Sequence, residues 1–315
     1  MDKVLVTGST GFVGKNLLST LLNKDYSVIA LVRSGNIVRE ASWLDYVDYK
    51  SYWQNKEIQA AHYIHLAGKA HDLKNISDEL SYFEINYELT KEIYNRFLDD
   101  DSAKTFTFIS SVKAVADEVS GELTEEAVPN PLTAYGRSKI KAEKYILENT
   151  PKDKTVVILR PCMIHGPGNK GNLNLLHSVV SKGLPWPLGA YENRRSFLFI
   201  DNLCYVIHKV IEFELKAGVY NVSDDSSLST NDLVRMIAET SGNKLRILNI
   251  PKQVISFLAM AGNILPLPVN EERLQKLTES YLISNRKIKK ALGIKKMPVS
   301  AREGMMKTLQ SFQNS

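Results

Sequence analysis

Gly8-Ser9-Thr10-Gly11-Phe12-Val13-Gly14 is the stretch on which the reading of the fold turns. Val4-Leu5-Val6 ahead of it is a short apolar run, and Phe12, Val13, Leu17, Leu18, Leu21 and Leu22 behind it recur at helical spacing. A glycine turn between a buried strand and a helix is the setting in which a dinucleotide pyrophosphate is held. Glycine permits the sharp turn and the close approach of backbone N–H groups, and the helix start adds unpaired donors and partial positive charge. The spacing is GxxGxxG rather than GxGxxG, so the trio alone is weak. Its place directly after the first strand carries the reading against that of a tight turn with nothing bound.

Working outward, further apolar strands are expected at residues 28–32, 63–67, 106–109 and 155–159, with helices at 78–97 and 135–148 between them. Repeated strand–helix units with apolar strands imply a parallel sheet covered on both faces. After Pro161 glycine and proline gather in Gly166-Pro167-Gly168, Gly171, Gly183, Pro185, Pro187 and Gly189, around one helix at 173–182. Strands are expected at 197–200 and 219–222, then a helix capped by Ser229-Thr230-Asn231-Asp232 and a mainly helical remainder.

Composition excludes several classes. In 315 residues, 43% are apolar and 24% charged, which suits a folded α/β chain. The net charge of +5 is scattered; Arg286-Lys287-Ile288-Lys289-Lys290 and Lys295-Lys296 read as a solvated face, without the interleaved aromatics of a nucleic-acid surface. Cys162 and Cys204 form no CxxC pair and the six histidines no HExxH, so neither a disulfide framework nor a metal site is expected. The run 254–269 is broken by Ser256, Gly262, Asn263, Pro266 and Pro268; it reads as core of a C-terminal lobe, not a membrane span. No signal peptide follows Met1-Asp2-Lys3, and the expected location is cytoplasmic.

The acid that holds the ribose 2′-OH of NAD stands about 20 residues beyond the glycine turn. Here the second strand ends Leu31-Val32-Arg33-Ser34-Gly35, without an acid. Arg33 can pair with a 2′-phosphate, which favours NADP(H) over NAD(H), unless it is simply an exposed arginine.

Tyr135-Gly136-Arg137-Ser138-Lys139 sets a phenol and an ammonium at i and i+4 on one helix face. A phenol with a pKa of about 10 is a poor acid–base catalyst near neutrality, and a neighbouring cation is expected to lower it. Ser110-Ser111 ends the strand at 106–109, and Ser111 precedes Tyr135 by 24 residues (135 − 111). A serine at that carboxyl end faces the crevice where open α/β sheets bind ligands, and can donate to a substrate oxygen while Tyr135 exchanges the proton. The competing reading makes the serines helix caps.

With His65-Leu66-Ala67-Gly68, Arg160-Pro161 and His165-Gly166-Pro167-Gly168, in that order, the chain resembles the extended short-chain dehydrogenase/reductase family, in its nucleotide-sugar epimerase/dehydratase branch. The resemblance implies an α/β, Rossmann-type doubly wound parallel sheet with a smaller, mainly helical C-terminal substrate lobe. It implies a dinucleotide domain of residues 1–167 that also receives about 196–222, and a substrate lobe of 168–195 and 223–315. It implies a cofactor held by Gly8, Thr10, Gly11, Phe12, Val13, Gly14, Arg33, Leu66, Ala67, Gly68, Asn86, Tyr135, Lys139 and Pro161. Tyr135 is the implied acid–base catalyst, Lys139 its partner and Ser111 the substrate-orienting serine, with Ser110 the lesser candidate.

Gly168-Asn169-Lys170-Gly171-Asn172 and Asn193-Arg194-Arg195-Ser196-Phe197 are similar to UDP-N-acetylhexosamine 4-epimerases and 4-ketoreductases of surface-polysaccharide synthesis. That implies a UDP-sugar met by Ser111, Asn172 and Leu173, its diphosphate clamped by Arg194, seven residues before Asp201 (201 − 194), with Arg195 the neighbouring candidate. Val112-Lys113 stands where dehydratases of the family carry Asp-Glu, which disfavours elimination of water. Met163 replaces a frequent asparagine, and His165, in place of the usual tyrosine, reads as structural. The expected reaction is hydride transfer at C4, most simply as a 4-ketoreductase of a UDP-4-keto-6-deoxy-N-acetylhexosamine. A UDP-glucose or UDP-N-acetylglucosamine 4-epimerase with tightly held NAD is the alternative, and a non-catalytic dinucleotide sensor the second. Relatives often dimerise through the helix bearing Tyr135 and its neighbour, so a homodimer is expected by analogy.

Overall fold

The computed structural model describes the chain apart from residues 1, 25, 34–37, 42, 70–77, 170–171, 214, 262–269 and 315. The strands are β1 (Lys3–Thr7), β2 (Ser27–Val32), β3 (Val38–Ala41), β4 (Leu44–Asp48), β5 (His62–His65), β6 (Thr105–Ile109), β7 (Glu122–Leu123), β8 (Thr155–Pro161), β9 (Met163–His165), β10 (Phe197–Phe199), β11 (Gly218–Val222) and β12 (Leu282–Ile283). The helices are α1 (Phe12–Leu22), α2 (Tyr49–Gln54), α3 (Glu79–Phe83), α4 (Leu89–Leu98), α5 (Ala134–Glu148), α6 (Asn172–Val180), α7 (Ile200–Glu212), α8 (Thr230–Ser241), α9 (Lys252–Ala261), α10 (Glu271–Thr278), α11 (Arg286–Leu292) and α12 (Ala301–Ser311).

The main sheet runs β11-β8-β6-β5-β1-β2-β4-β3, parallel throughout except for the antiparallel edge pair β3–β4. It is a Rossmann-type α/β fold. Strand order reverses between β1 and β5, and the crevice beyond their carboxyl ends is where such sheets bind ligands. Side-chain alternation divides the core. Val4 and Val6 of β1 join Leu17 and Leu21 of α1 and Leu203 and Ile207 of α7 on one face. Leu5 turns to the other face, with Tyr63, Phe106 and Phe108 beneath Ile93, Tyr94 and Phe97 of α4 and Ala142 and Ile146 of α5.

A third cluster joins Leu173 and Val180 of α6, Val234 and Ile237 of α8, Trp186 and Leu188, and Met305 and Leu309 of α12. Ser229 and Asp232 form a capping box ahead of α8, within the stretch expected to cap it. Helix α9 bears out the reading of 254–269 as lobe core only in part. Ile255 and Ala259 are buried, but Val254, Phe257, Leu258 and Met260 are exposed, and 262–269 lie outside the described residues.

Several elements escaped the sequence, among them β3, β4, α2, β7, β9 and β12. β4 is Leu-Asp-Tyr-Val-Asp, where two aspartates and incomplete alternation hide a strand. The helix expected at 78–97 is interrupted by a π turn at Glu84–Glu88, between α3 and α4.

Candidate active site

Gly8 has φ +66, the left-handed region, and the Gly11 N–H donates to its carbonyl at 3.0 Å. A β-carbon on Gly8 would lie 2.7 Å from the Ala67 nitrogen, and one on Gly14 2.3 Å from the Gly8 oxygen. The loop after β1 is thus pressed onto that after β5, where the Ala67 N–H donates to Thr7 Oγ1 at 3.0 Å. Ser9 is turned inward and donates to the Leu31 carbonyl, while Thr10 is exposed and Phe12 and Val13 half-buried. Helix α1 begins at Gly11 without a side-chain cap and with no acid in its first turn. Such a start presents backbone donors to an anion, so these residues fit a pyrophosphate. Arg33 is exposed at the end of β2, close enough to Tyr49 for its charge to act there.

The π turn after α3 places Asn86, fully buried, against the loop after β5. Its Oδ1 accepts from the Lys69 N–H at 2.8 Å; its Nδ2 donates to the Lys69 carbonyl at 3.1 Å and to Ser138 Oγ at 3.0 Å. Ser138 donates to the Tyr135 carbonyl at 2.8 Å, so Asn86 braces the first turn of α5. A π turn widens a helix locally and is common at functional sites.

That first turn is capped by Thr133, whose Oγ1 accepts from the Gly136 N–H at 3.2 Å. A β-carbon on Gly136 would come 2.3 Å from the Lys113 carbonyl, so only glycine lets α5 lie this close to the loop after β6. Tyr135 and Ser111 thereby come into hydrogen-bonding contact. Ser111 Oγ also accepts from the Lys113 N–H at 3.2 Å, so the capping and site readings of this serine coexist. Ser110 is turned the other way and donates to Glu143.

Lys139 is buried; its Nζ donates to the Ile109 carbonyl at 3.0 Å and sits 4.8 Å from the centroid of the Phe108 ring. Burial pushes this ammonium down to about 8, with the Glu143 carboxylate opposing. The expectation that a nearby cation lowers Tyr135 is not met. Burial pushes the phenol up, its hydrogen bond with Ser111 opposes this, and Tyr82 adds to it. The physical reason is desolvation, with the Lys139 ammonium committed to Ile109.

Of the remaining candidates, Pro161 is buried at the end of β8 and Leu173 in the first turn of α6; the Asn172 side chain lies outside the described residues. Arg194 is exposed, with Nη1 3.5 Å from the Ser227 carbonyl and 3.9 Å from Asp232. Arg195 is turned inward, donating to the Lys276 carbonyl at 2.5 Å and to Glu279 at 3.3 Å. His165 is buried, with Nδ1 2.9 Å from Thr308 Oγ1, as its structural reading required. Among the described residues no cluster of three or more His, Cys, Asp or Glu is disposed to hold a metal.

Sequence reasoning missed Glu143 and Tyr281, and gave Lys113 no contact in the site. The Lys113 ammonium donates to the Asp117 carbonyl at 2.7 Å and lies 4.4 Å from the Tyr281 ring centroid. Tyr281 in turn donates to the Ala116 carbonyl at 2.6 Å. Tyr281 is far in sequence from Lys113 and Ala116, and Glu143 from Ser110, so no local motif announces these contacts.

A glycine-turn Rossmann sheet with serine, tyrosine and lysine brought together beyond its strands fits the class the sequence resembles, nicotinamide-dinucleotide enzymes of the short-chain type. Comparison narrows the class: the profile of the NAD dependent epimerase/dehydratase family matches residues 4–223, and the chain belongs to that family of enzymes. It is 32% identical to a UDP-glucose 4-epimerase from Vibrio cholerae, over 98% of this chain and 95% of that protein. It is 26% identical to an N-acetyl-alpha-D-glucosaminyl-diphospho-ditrans,octacis-undecaprenol 4-epimerase from Escherichia coli O157:H7, over 92% and 85%. Among solved structures, RMD from Pseudomonas aeruginosa complexed with NADPH superposes with a TM-score of 0.74 at 20% identity, covering all of both chains. No helix among the described residues is long and apolar enough to cross a membrane.

Proposed function

We propose that this enzyme transfers hydride at C4 of a UDP-sugar, acting as a 4-ketoreductase on a UDP-4-keto-6-deoxy-N-acetylhexosamine. The observation that carries the reading is the contact of Ser111 with Tyr135, one helical turn from Lys139, beside a glycine turn built for a dinucleotide. When bound, the dinucleotide gives or takes the hydride. Tyr135 passes its phenolic proton to the C4 oxygen, Ser111 donates a hydrogen bond to that oxygen, and Lys139 supplies positive charge as the phenolate forms. Val112 and Lys113 follow Ser111, so no carboxylate stands in that stretch to remove water.

The exposed Arg33, where β2 ends without an acid of its own, supports NADP(H). In this reading residues 1–167 and about 196–222 hold the cofactor, 168–195 and 223–315 the UDP-sugar, and α5 with its neighbour α4 forms a homodimer face. A 4-epimerase with tightly held NAD is the second reading, supported by the Vibrio cholerae relative.

Purified protein supplied with NADPH and the 4-keto-6-deoxy UDP-sugar should consume nicotinamide absorbance. Conversion of UDP-N-acetylglucosamine to UDP-N-acetylgalactosamine without added cofactor would replace the reductase by the epimerase, and neither reaction occurring would overturn both.

A further inference from the structure

Glu143 lies one turn beyond Lys139 on the same face of α5 and is fully buried. A lone carboxylate there would be costly, and three donors answer it. Arg160 Nε reaches its two oxygens at 3.0 and 3.1 Å, Arg160 Nη2 donates to Oε2, and Ser110 Oγ donates to Oε1. Arg160 itself is 5% exposed.

The cluster joins the groups on which the site depends. Arg160 is on β8, whose Leu159 carbonyl accepts from the Ser110 N–H at 2.8 Å. Ser110 stands between Ile109, whose carbonyl seats the Lys139 ammonium, and Ser111, which contacts Tyr135. Burying an ion pair adds little stability over well-packed apolar residues, so what the pair provides is placement and local charge.

The groups facing Lys139 can be named element by element. Glu143 and Tyr135 share α5 with it, Arg160 faces Glu143 from β8, and Asn86 presents its amide oxygen from the π turn. His65 comes from β5, and burial, with the charge of Lys139, holds its imidazole down at about 3, so it is neutral. Tyr82 of α3 is 6.2 Å from Tyr135, ring to ring. Glu143 is the carboxylate that acts on Lys139.

We propose that Glu143, clamped by Arg160 and Ser110, is a positioning residue that keeps the Lys139 ammonium charged and seated on the Ile109 carbonyl. The proposal rests on the catalytic reading of Tyr135 and Lys139, but it can be tested apart from turnover. Glu143→Gln keeps an acceptor for Ser110 and Arg160 and removes the negative charge; Lys139 should then lose its proton at a pH lower by about one unit. The double variant Glu143→Gln/Arg160→Gln removes both charges of the pair, so that Arg160 is not left unpaired, and should fall between the single variant and the parent.

The titration is read from the Lys139 Cε resonance of protein labelled with carbon-13 lysine, assigned with Lys139→Arg, and from the alkaline limb of kcat against pH. Midpoints in the order parent, double variant, single variant support the proposal. Should Glu143→Gln fail to fold, the double variant alone decides: a midpoint below the parent supports the proposal, one equal to it overturns it. Unmoved midpoints with a uniform fall in kcat would make the cluster purely structural. Loss of the Tyr135 reading would show separately, as unchanged turnover in Tyr135→Phe.

Discussion

Gly68 and Lys139 meet so closely that a β-carbon on the glycine would stand 3.0 Å from the lysine ammonium, and equally 3.0 Å from Asn86 Oδ1. The loop after β5 thus fixes from above an ammonium that the Ile109 carbonyl fixes from below. Gly68→Ala should fold, because the obstructing atoms end side chains and Gly68 is exposed. It should displace Lys139 and slow turnover about tenfold, a barrier increase of about 1.4 kcal/mol. Thermal unfolding and kcat measured on the same preparation check this; normal turnover would show that Lys139 tolerates displacement.

Tyr135→Phe removes the phenolic proton and leaves the ring against Tyr82. Turnover should fall by a factor on the order of a thousand or more, the range for loss of a general acid–base group. Dinucleotide affinity, followed by nicotinamide fluorescence, should stay within about twofold, the scale of a lost peripheral contact. Retained turnover would remove Tyr135 from the chemistry. Ser111→Ala should lower kcat with a smaller effect, since the substrate oxygen would keep Tyr135 as its partner.

Burial sets Lys139 at about 8, below the ordinary lysine value. The sign follows directly: below that pH the ammonium carries its charge, and above it the charge is lost. Turnover at saturating substrate should therefore decline as pH rises through about 8. Lys139→Arg, which stays charged, should carry its residual activity further into the alkaline range. A kcat profile flat beyond this range would show that the chemistry does not need the ammonium.

Much of this site could be read in the sequence because its chemistry is local. The glycine turn, Tyr135 with Lys139 at helical spacing, and Ser111 at a strand end each combine composition with a short-range rule. What escaped depends on contacts made across the fold. Asn86 is named through the family resemblance as a cofactor residue, but its part in bracing α5 rests on a π turn that helical periodicity does not distinguish. Glu143 is one charge among several in the helix expected at 135–148, and nothing local marks it as the buried partner of Arg160, on a strand 17 residues away. The rise of the Tyr135 phenol was misjudged because sequence gives the neighbouring cation and not the desolvation.

Arg194 and Arg195 were alike in sequence and differ in structure. Consecutive residues in extended chain point to opposite sides, and the backbone of Arg195 pairs with Leu228 and Tyr281. Its guanidinium is committed to the Lys276 carbonyl and Glu279, whereas Arg194 is exposed with only long contacts to Ser227 and Asp232. A diphosphate clamp needs donors free to turn to phosphate oxygens, and Arg194 has them. Arg194→Ala should raise KM for the UDP-sugar about tenfold or more, with kcat and thermal stability little changed, as loss of one charge-assisted contact predicts. Arg195→Ala should instead lower the unfolding midpoint by releasing residues 276–279 from the segment ahead of β10, with KM changed less. The opposite pattern, with KM raised by Arg195→Ala and unmoved by Arg194→Ala, would transfer the clamp to the inner arginine.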